Sequence, residues 1–247
     1  MSWIDRLNVK IFADGAELDG IKALAANPAV KGFTTNPSLM RKAGVEDYEA
    51  HARRIIAAVP DRPLALEVFA DEFDEMIAQA RVIATWGRNV NVKIPVMNTK
   101  GVFTGPVITA LARSGVVVNV TAIMTAAQVE AVAKCLQPNV PAIVSVFAGR
   151  IADSGRDPEP VMQACLAALA GRPKAELLWA SSREVFNIFQ ADRTGCHIIT
   201  VGHDLLAKLS AIGKDLDAYS IETVKAFYRD AEASGFQVRL PPQRAAS

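Results

Sequence analysis

Two kinds of hydrophobic pattern alternate over most of the chain. Short apolar runs rich in β-branched residues are separated by longer segments whose apolar residues recur at helical spacing. Eight runs are predicted as strands, and they cover residues 9–13, 32–35, 64–69, 90–94, 116–120, 142–147, 176–180 and 197–201. Such alternation is typical of repeated βα units around a parallel sheet.

The helical pattern is clearest in the segment after the third run. Its apolar residues fall on one face at spacings of three and four, and they are Phe73, Met76, Ile77, Ala80, Ile83 and Ala84. Asp71 or Asp74 is expected to cap the start of this helix. After Val201 two further helical segments are predicted, over residues 204–212 and 216–233.

Eight strands that alternate with helices predict an α/β fold, a closed (β/α)8 barrel with an additional C-terminal helix. A doubly wound open sheet would usually carry a glycine-rich phosphate loop, and the sequence has neither a GxGxxG nor a Walker pattern. The length of 247 residues is close to that of one barrel domain, about 250 residues. We therefore expect a single domain over residues 1–239, C-terminal helix included, and a disordered tail over residues 240–247.

The charge balance excludes binding by bulk electrostatics. The chain has 27 Lys and Arg against 26 Asp and Glu, so no field of one sign is available to hold nucleic acid or an anionic membrane. Cys135, Cys165 and Cys196 lack the spacing of a zinc or redox site and are expected to be buried thiols in a reducing cytosol. No apolar run reaches the roughly 18 to 20 residues that cross a bilayer. The first residues lack a signal-like apolar region, so a cytoplasmic protein is predicted.

The three histidines do not indicate a metal site. His51 lies in a helical stretch and is expected at the surface, while His197 opens the eighth strand and His203 follows it. None of them has the spacing of metal ligands. No metal ion or other cofactor is predicted.

Polar and ionisable residues close most of the predicted strands. In a (β/α)8 barrel the carboxyl ends of the strands form one rim, where the active site lies. Two carboxylates, a lysine and two arginines that converge on this rim indicate a functional site, because the strands themselves are apolar. The candidates are Asp14, Thr34, Thr35, Asn36, Glu67, Lys93, Asn119, Thr121, Ser145, Arg150, Ser181 and Arg183.

Lys93 is the residue around which these candidates are grouped. It lies between Val92 and Ile94 in an apolar strand that ends at Pro95. An apolar site disfavours the ammonium form and leaves an amine that can attack a carbonyl carbon, as Schiff-base lysines do. The alternative is a lysine at a strand end whose charged group reaches water.

As a set, the candidates fit class I aldol chemistry. Lys93 would form an iminium with a ketose, and the iminium would take up electrons when the bond between C3 and C4 breaks. Asp14 and Glu67 are candidates for the proton transfers, one of them through a held water that Thr121 could share. Asp14 could instead be only a turn residue before Gly15.

Amide and guanidinium groups complete the set. Asn36 and Asn119 could position sugar hydroxyls, and Arg150 and Arg183 suit a terminal phosphate because guanidinium groups match its oxygens. Simpler interpretations exist for single residues. Arg150 could form only an ion pair with Asp153, and Asn36 could only begin a turn.

Five short motifs lie at or near the ends of the predicted strands. They are TTNPS at residues 34–38, NVKIP at 91–95, NVT at 119–121, SVFAGRI at 145–151 and ASSR at 180–183. In order and spacing these motifs resemble the transaldolase family. The resemblance covers about residues 8–202, and TTNPS and NVKIP are highly specific.

The resemblance implies a (β/α)8 barrel with the Schiff-base lysine on strand four, at Lys93. It implies that Asp14 is the general acid and base and that Glu67 and Thr121 hold the catalytic water. The remaining candidates would bind substrate, with Thr34, Asn36, Asn119, Ser145 and Phe147 at the sugar and Arg150, Ser181 and Arg183 at the phosphate.

Some positions bear on the choice of reaction and substrate. The chain resembles the compact members of the family, which include fructose 6-phosphate aldolases. Those lyases usually carry Gln and Tyr where this chain has Glu67 and Phe147, which follow the transferase pattern. Ser182 stands where the family commonly has Phe, and Trp179 is also unusual, which leaves open a sugar other than the usual phosphorylated ketose.

The expected function is a transaldolase of the pentose phosphate pathway. It would transfer a dihydroxyacetone unit from a ketose phosphate, of the fructose 6-phosphate or sedoheptulose 7-phosphate type, to an aldose phosphate. The alternatives are a fructose 6-phosphate aldolase-type lyase that releases dihydroxyacetone, a related aldolase on a non-standard sugar, and a barrel that binds sugar phosphates without turnover. An unpaired strand lysine and a proton relay argue against the last. Compact relatives often form rings through the C-terminal helix, so a homo-oligomer is expected from the resemblance.

Overall fold

Eight parallel strands pair in chain order and close into a barrel in the structure, a computed structural model that describes residues 3–239. The predicted (β/α)8 architecture is therefore confirmed, and each strand overlaps its predicted run. The strands are β1 (Lys10–Asp14), β2 (Val30–Thr34), β3 (Leu64–Glu67), β4 (Val90–Pro95), β5 (Val118–Ile123), β6 (Ala142–Val146), β7 (Ala175–Trp179) and β8 (Ile198–Gly202).

Helices follow the strands around the barrel. They are α1 (Leu18–Ala25), α2 (Pro37–Lys42), α3 (Tyr48–Ala58), α4 (Phe73–Ala84), α5 (Gly105–Arg113), α6 (Ala126–Cys135), α7 (Ala148–Asp153), α8 (Pro158–Ala168), α9 (Phe186–Arg193), α10 (His203–Leu206) and α11 (Leu216–Ser234). The predicted helix over residues 204–212 is in fact the short α10 followed by a 3-10 helix, Ala207–Ala211. The predicted helix over 216–233 is α11.

The chain divides into two compact units after Leu209. The first unit contains the whole barrel and the second contains the additional C-terminal helix, α11. That residues 1–239 form one domain stays a prediction. The tail over residues 240–247 lies outside the described residues.

Apolar side chains fill two layers. The larger layer lies between the strands and the surrounding helices, and the smaller one lies inside the barrel around Phe12, Leu178 and Ile198. Phe12 and Asp14 are two residues apart on β1, so their side chains share the inner face. The inner apolar layer therefore forms the floor beneath the polar rim.

The start of α4 differs from the predicted capping. Met76, Ala80 and Ile83 are buried, which confirms the predicted apolar face. The cap prediction is wrong, because Glu72 occupies the N-cap position without a side-chain hydrogen bond. Asp71 instead accepts hydrogen bonds from the backbone N–H and the hydroxyl of Thr99, both at 2.7 Å.

Strand β3 ends two residues before its predicted end, at Glu67. The backbone N–H groups of Phe69 and Ala70 both donate to the side-chain oxygen of Gln79, at 2.8 and 3.0 Å. Since these donors bond to a helix residue, they no longer take part in the ladder to β4. The end of β3 is thus set by a tertiary contact.

Two expectations about single residues have different outcomes. His51 is buried, so its predicted surface position is wrong; its Nε2 lies 2.7 Å from the carbonyl oxygen of Ala16. Cys165 and Cys196 are buried as predicted, whereas Cys135 is half-buried. Burial raises the pKa of Cys196 to about 11, so this thiol stays protonated at neutral pH. Among the described helices, none combines the length and the hydropathy that a membrane span needs.

Candidate active site

The strand register brings the candidate side chains to one level of the barrel. Asp14 on β1 pairs with Thr34 on β2, Glu67 on β3 pairs with Lys93 on β4, and Lys93 pairs with Asn119 on β5. All the strands run in the same direction, so these positions lie together at their carboxyl ends. The apolar strands therefore deliver their few polar side chains to one rim.

A cavity of about 120 Å³ opens at this rim. Of the residues predicted for the site, all but Thr35, Glu67 and Arg183 line it. The lining residues are Asp14, Thr34, Asn36, Lys93, Asn119, Thr121, Ser145, Phe147, Arg150, Leu178, Ala180, Ser181 and Thr200.

Lys93 is only 7% exposed, so its charged group does not extend into bulk water. Its Nζ donates to the backbone carbonyl oxygen of Thr35 at 2.8 Å and lies 3.0 Å from Oε2 of Glu67. The expectation of an unpaired lysine is therefore wrong. Glu67 does not line the cavity, but its carboxylate lies close enough to Lys93 to exchange a proton with the amine.

Asp14 ends β1 with its carboxyl group in the cavity. The Thr34 hydroxyl donates to Oδ1 of Asp14 at 2.7 Å. Since this bond uses the one proton of the Thr34 hydroxyl, the Thr200 hydroxyl is the donor in the hydrogen bond between Thr200 and Thr34. Burial raises the pKa of Asp14, while the hydrogen bond from Thr34 and the nearby positive charges of Lys93 and His203 oppose the increase. A carboxyl group that holds its proton to a higher pH than usual suits acid and base chemistry near neutral pH.

Three polar side chains form the wall on β5 and β6. Ser145 donates from its hydroxyl to Oδ1 of Asn119 at 2.7 Å. Nδ2 of Asn119 and Oγ1 of Thr121 are buried and have no hydrogen-bond partner among residues 3–239. Buried polar groups are usually bonded, so these two groups are suited to contact a ligand in the cavity.

Asn36 both starts a helix and faces the cavity, so its two interpretations, as a turn residue and as a site residue, are compatible. Its Oδ1 accepts a hydrogen bond from the backbone N–H of Leu39 at 2.9 Å, which caps the start of α2 ahead of Pro37. The same side chain lines the cavity. Capping therefore fixes the amide group at the rim.

The two candidate arginines lie in different surroundings. Arg150 lines the cavity, and its guanidinium group lies 5.0 Å from the centre of the Phe147 ring. Arg183 does not line it, because its Nε lies 3.1 Å from both carboxylate oxygens of Asp153. Asp153 thus pairs with Arg183 rather than Arg150, and this pairing lowers the pKa of Asp153.

Backbone contact joins the loop after β7 to the start of α7. Gly149 donates its N–H to the carbonyl oxygen of Ala180 at 3.3 Å. A Cβ atom at Gly149 would lie 1.6 Å from the carbonyl oxygen of Ser181, so only glycine fits. Ser181 itself has a φ of 64°, a conformation that non-glycine residues seldom adopt. This strained turn brings Ser181 to the cavity beside Arg150.

Two residues that support the site were missed in the sequence. Thr200 bonds to Thr34, and a polar residue within the apolar run of β8 was a signal that could have found it. Tyr48 on α3 donates its hydroxyl to the carbonyl oxygen of Glu67 at 3.1 Å and accepts from the Glu67 N–H at 3.0 Å. No local pattern marks Tyr48, because it meets Glu67 only in the fold.

Within residues 3–239 no group of three or more His, Cys, Asp or Glu side chains is arranged to hold a metal ion. The polar groups at the cavity are amines, carboxyls, hydroxyls, amides and a guanidinium group. Such a set can bind a polyhydroxylated, anionic molecule and transfer protons. The buried lysine adds the capacity to attack a carbonyl carbon.

Solved structures of other barrel enzymes resemble this fold at low sequence identity. A 2,3-dimethylmalate lyase of the PEP mutase/isocitrate lyase superfamily matches with a TM-score of 0.55 and 13% identity, over 94% of this chain and 86% of that one. Thiamine phosphate pyrophosphorylase from Pyrococcus furiosus matches with a TM-score of 0.53 and 9% identity, over 80% of this chain and 87% of that one. At these identities the likeness establishes the fold class alone.

Sequence comparison defines the family. A family model described as "Transaldolase/Fructose-6-phosphate aldolase" matches residues 11–239. A "Probable transaldolase" of Streptococcus equi subsp. zooepidemicus is 35% identical over 204 residues, which are 82% of this chain and 90% of that protein. A "Probable transaldolase" of Thermoanaerobacter sp. is 31% identical over 224 residues, 90% of this chain and 98% of the relative. The chain therefore belongs to the transaldolase/fructose-6-phosphate aldolase family.

Proposed function

We propose that this protein is a transaldolase that moves a dihydroxyacetone unit from a ketose phosphate to an aldose phosphate. One observation carries the proposal: the buried Lys93 amine shares one cavity with the Asp14 carboxyl and lies 3.0 Å from the Glu67 carboxylate. A nucleophile with two proton-transfer groups is what Schiff-base aldol chemistry requires. The family assignment supports the same reaction class.

The first steps join Lys93 to the substrate. Glu67 takes a proton from the Lys93 ammonium group, and the free amine attacks the C2 carbonyl carbon of the ketose. In the carbinolamine that forms, a proton has moved from the nitrogen to the former carbonyl oxygen. Glu67 then returns its proton to this hydroxyl group, which leaves as water, and an iminium remains. In this proposal Glu67 and Thr121 hold this water, and the buried Thr121 hydroxyl, which has no partner among the described residues, supports its part in the role.

Carbon–carbon cleavage follows at Asp14. The ionised carboxyl accepts the proton of the C4 hydroxyl as the bond between C3 and C4 breaks, and the bonding electrons enter the iminium to form an enamine on Lys93. The aldose phosphate leaves. An acceptor aldose then reacts in reverse, and Asp14 returns the proton to its aldehyde oxygen.

The remaining cavity residues would hold the sugar phosphates. Asn119 and Ser145 present amide and hydroxyl groups to sugar hydroxyls, and Thr34 and Asn36 do so from the opposite wall. Arg150 would bind the phosphate together with Ser181, and Arg183 would join them only if its bonds to Asp153 broke. We place the enzyme in pentose phosphate metabolism, because that pathway exchanges such sugars. A cytoplasmic location is part of the same proposal.

Trapping of the Schiff base tests the proposal. The protein is incubated with fructose 6-phosphate, reduced with borohydride and digested, and the modified peptide is identified by mass spectrometry. We expect the adduct on Lys93 alone and no turnover in Lys93→Met. Lys100→Met is the matched control, because Lys100 is an exposed lysine paired with Glu72. An adduct on another lysine, or none with any ketose tried, would refute the proposal.

A lyase that releases free dihydroxyacetone is the second candidate, because the family description includes fructose-6-phosphate aldolase. Release requires protonation of the enamine and water activated at the iminium. Phe147 lines the cavity and has no hydroxyl group to orient such a water. We expect the wild type to release little dihydroxyacetone without an acceptor and Phe147→Tyr to release more. A wild type that releases dihydroxyacetone as fast as it transfers it would establish the lyase.

A further inference from the structure

A second cavity lies beside Asp14, apart from the reaction cavity. It encloses about 340 Å³, and its lining includes Asp14, Gly15 and His203. Since Asp14 also lines the reaction cavity, it lies at the boundary between the two. A proton on this carboxyl group therefore has two directions in which to leave.

The imidazole ring of His203 packs against two glycines. A Cβ atom at Gly15 would lie 2.5 Å from Nε2 of His203, and one at Gly20 would lie 2.8 Å from its Cε1. Neither glycine has a positive φ, so the close approach of the ring, not the backbone conformation, requires them. The fold thus leaves a specific space for the ring next to Asp14.

The ring nitrogen of His203 that faces Gly15 lacks a hydrogen-bond partner in the part of the chain that the structure describes. Nε2 of His203 is buried and makes no hydrogen bond with any of residues 3–239. A buried polar atom without a partner loses its hydrogen bonds to water and is uncommon in proteins. The positive charge of a protonated His203 also opposes the increase in the pKa of Asp14 that burial causes. A charge on the ring therefore favours the ionised form of the Asp14 carboxyl group.

We infer that His203 is a positioning residue for Asp14, which takes up the proton of the Asp14 carboxyl group and passes it to solvent through the second cavity. This inference rests on the proposed role of Asp14 in aldol cleavage. The neutral imidazole accepts the proton, directly or through a water molecule, and the imidazolium releases it to water in the cavity. The ring returns to its neutral form, and Asp14 is left ionised, ready for the C4 hydroxyl proton.

Other titratable groups face His203 from the neighbouring elements. Glu17 before α1, Lys42 on α2 and Asp204 on α10 line the second cavity, and all three are exposed. His51 on α3 does not line the second cavity, but its Nε2 bonds to the carbonyl oxygen of Ala16, which does. Water and salt screen these exposed groups, whereas the Asp14 side chain at the same cavity is partly buried and less screened.

Carbon-13 NMR of aspartate-labelled protein tests the inference without a substrate. Asp14→Asn assigns the Asp14 signal, and His203→Phe keeps a ring between the glycines while it removes both nitrogens. We expect the Asp14 titration to move to higher pH by about half a unit or more in His203→Phe. The acidic limb of the kcat/KM profile should move with it. His197→Asn is the matched control, because His197 lies before β8 at the opposite end of the strand, and it should change neither.

The outcomes separate the inference from the proposed function. An unchanged Asp14 titration in folded His203→Phe overturns the inference, and so does a moved titration with an unmoved pH–rate limb. If His203→Phe does not fold, His203→Gln takes its place with the same criteria. If the protein forms no adduct with any ketose, the aldol proposal fails, and the NMR titration alone decides whether His203 controls the protonation of Asp14.

Discussion

The protonation of Asp14 depends on opposing influences at the scale of a single residue. Burial favours the neutral carboxyl group, while Thr34 and the positive charges of Lys93 and His203 favour the ionised one. The net result is a raised pKa. Such a group destabilises the folded state when it is ionised, which is a frequent property of functional sites.

Asp14→Asn should therefore affect activity and stability in opposite senses. The carboxyl group has a higher pKa in the folded than in the unfolded chain, so its stabilising contribution is complete below the unfolded pKa and is lost as the pH rises through the folded pKa. Relative to the wild type, the free energy of unfolding of Asp14→Asn should therefore increase as the pH rises through the folded-state pKa of Asp14, as measured by urea denaturation. Its kcat should fall by about 10² to 10⁴.

Two results would contradict this prediction. Full activity of Asp14→Asn would show that the carboxyl group takes no part in proton transfer. A variant that loses stability relative to the wild type as the pH rises would show that Asp14 is structurally required in its ionised form. The second result would revive its interpretation as a turn residue.

Arg150 and Arg183 should differ in their effect on the substrate. Arg150 lines the cavity, so Arg150→Ala should raise KM for ketose phosphates by about tenfold or more, the usual contribution of a hydrogen bond to a charged group. Arg183→Ala should have a smaller effect, because Arg183 is bonded to Asp153 outside the cavity. Initial rates are measured with a ketose phosphate and with dihydroxyacetone, which has no phosphate group. A loss of phosphate binding affects only the first substrate, whereas a folding defect affects both. Equal increases in KM for the two variants would show that Arg183 leaves Asp153 to bind phosphate.

At the scale of elements, the contact between α7 and the loop after β7 joins the two segments that carry Arg150 and Ser181, the residues proposed to bind phosphate. Gly149→Ala should lower the free energy of unfolding by about 1 to 3 kcal/mol, because its Cβ atom would overlap the carbonyl oxygen of Ser181. KM for phosphorylated sugars should rise as Ser181 and Arg150 move apart. Thermal denaturation and initial rates measure the two effects.

Gly171→Ala is the matched control for this substitution. A Cβ atom at Gly171 meets no atom within 4 Å, and its φ is not positive. It should therefore be neutral or slightly stabilising, since alanine restricts the unfolded chain. If Gly149→Ala changes stability and KM no more than Gly171→Ala does, the contact at Gly149 does not hold α7 against the loop after β7.

The elements were predictable because their signals are local. Apolar runs and helical periodicity depend on neighbours in sequence, and the eight strands and α4 follow from them. The end of β3 did not follow, because it depends on Gln79 of the next helix. The cap of α4 did not follow either, because Asp71 bonds to Thr99 instead.

The site was predictable in its membership but not in its pairings. In a parallel barrel every strand end reaches the same rim, so a polar residue there is placed by the topology alone. Which side chains bond to one another depends on distances that the sequence does not contain. The ion pair of Lys93 with Glu67, that of Arg183 with Asp153, and the contact of His203 with Gly15 are of this second kind.

At the scale of the whole molecule, the second unit has an unusually apolar exposed surface. α11 and the residues after it expose many large apolar side chains, and exposed patches of this kind usually mark interaction sites. These residues are Leu216, Tyr219, Ile221, Val224, Phe227, Tyr228, Phe236 and Val238. The homo-oligomer expected from the family resemblance would give them a partner.

The exposed apolar side of α11 predicts that copies of the chain associate through this helix. Ile221 and Val224 are three residues apart on the helix, so they share one side, and they are 56% and 63% exposed. If this side is buried between copies of the chain, the double substitution Ile221→Glu and Val224→Glu should reduce the assembly to a smaller species, because charged residues are depleted in interface cores. The far-ultraviolet circular dichroism spectrum should stay unchanged, since the helix itself remains. Light scattering coupled to size-exclusion chromatography measures the mass.

Lys225→Glu with Arg229→Glu is the matched control, since it adds negative charge to polar positions of the same helix. A wild type that is monomeric at all concentrations, or an assembly that the first double variant leaves intact, would show that α11 does not hold the oligomer together.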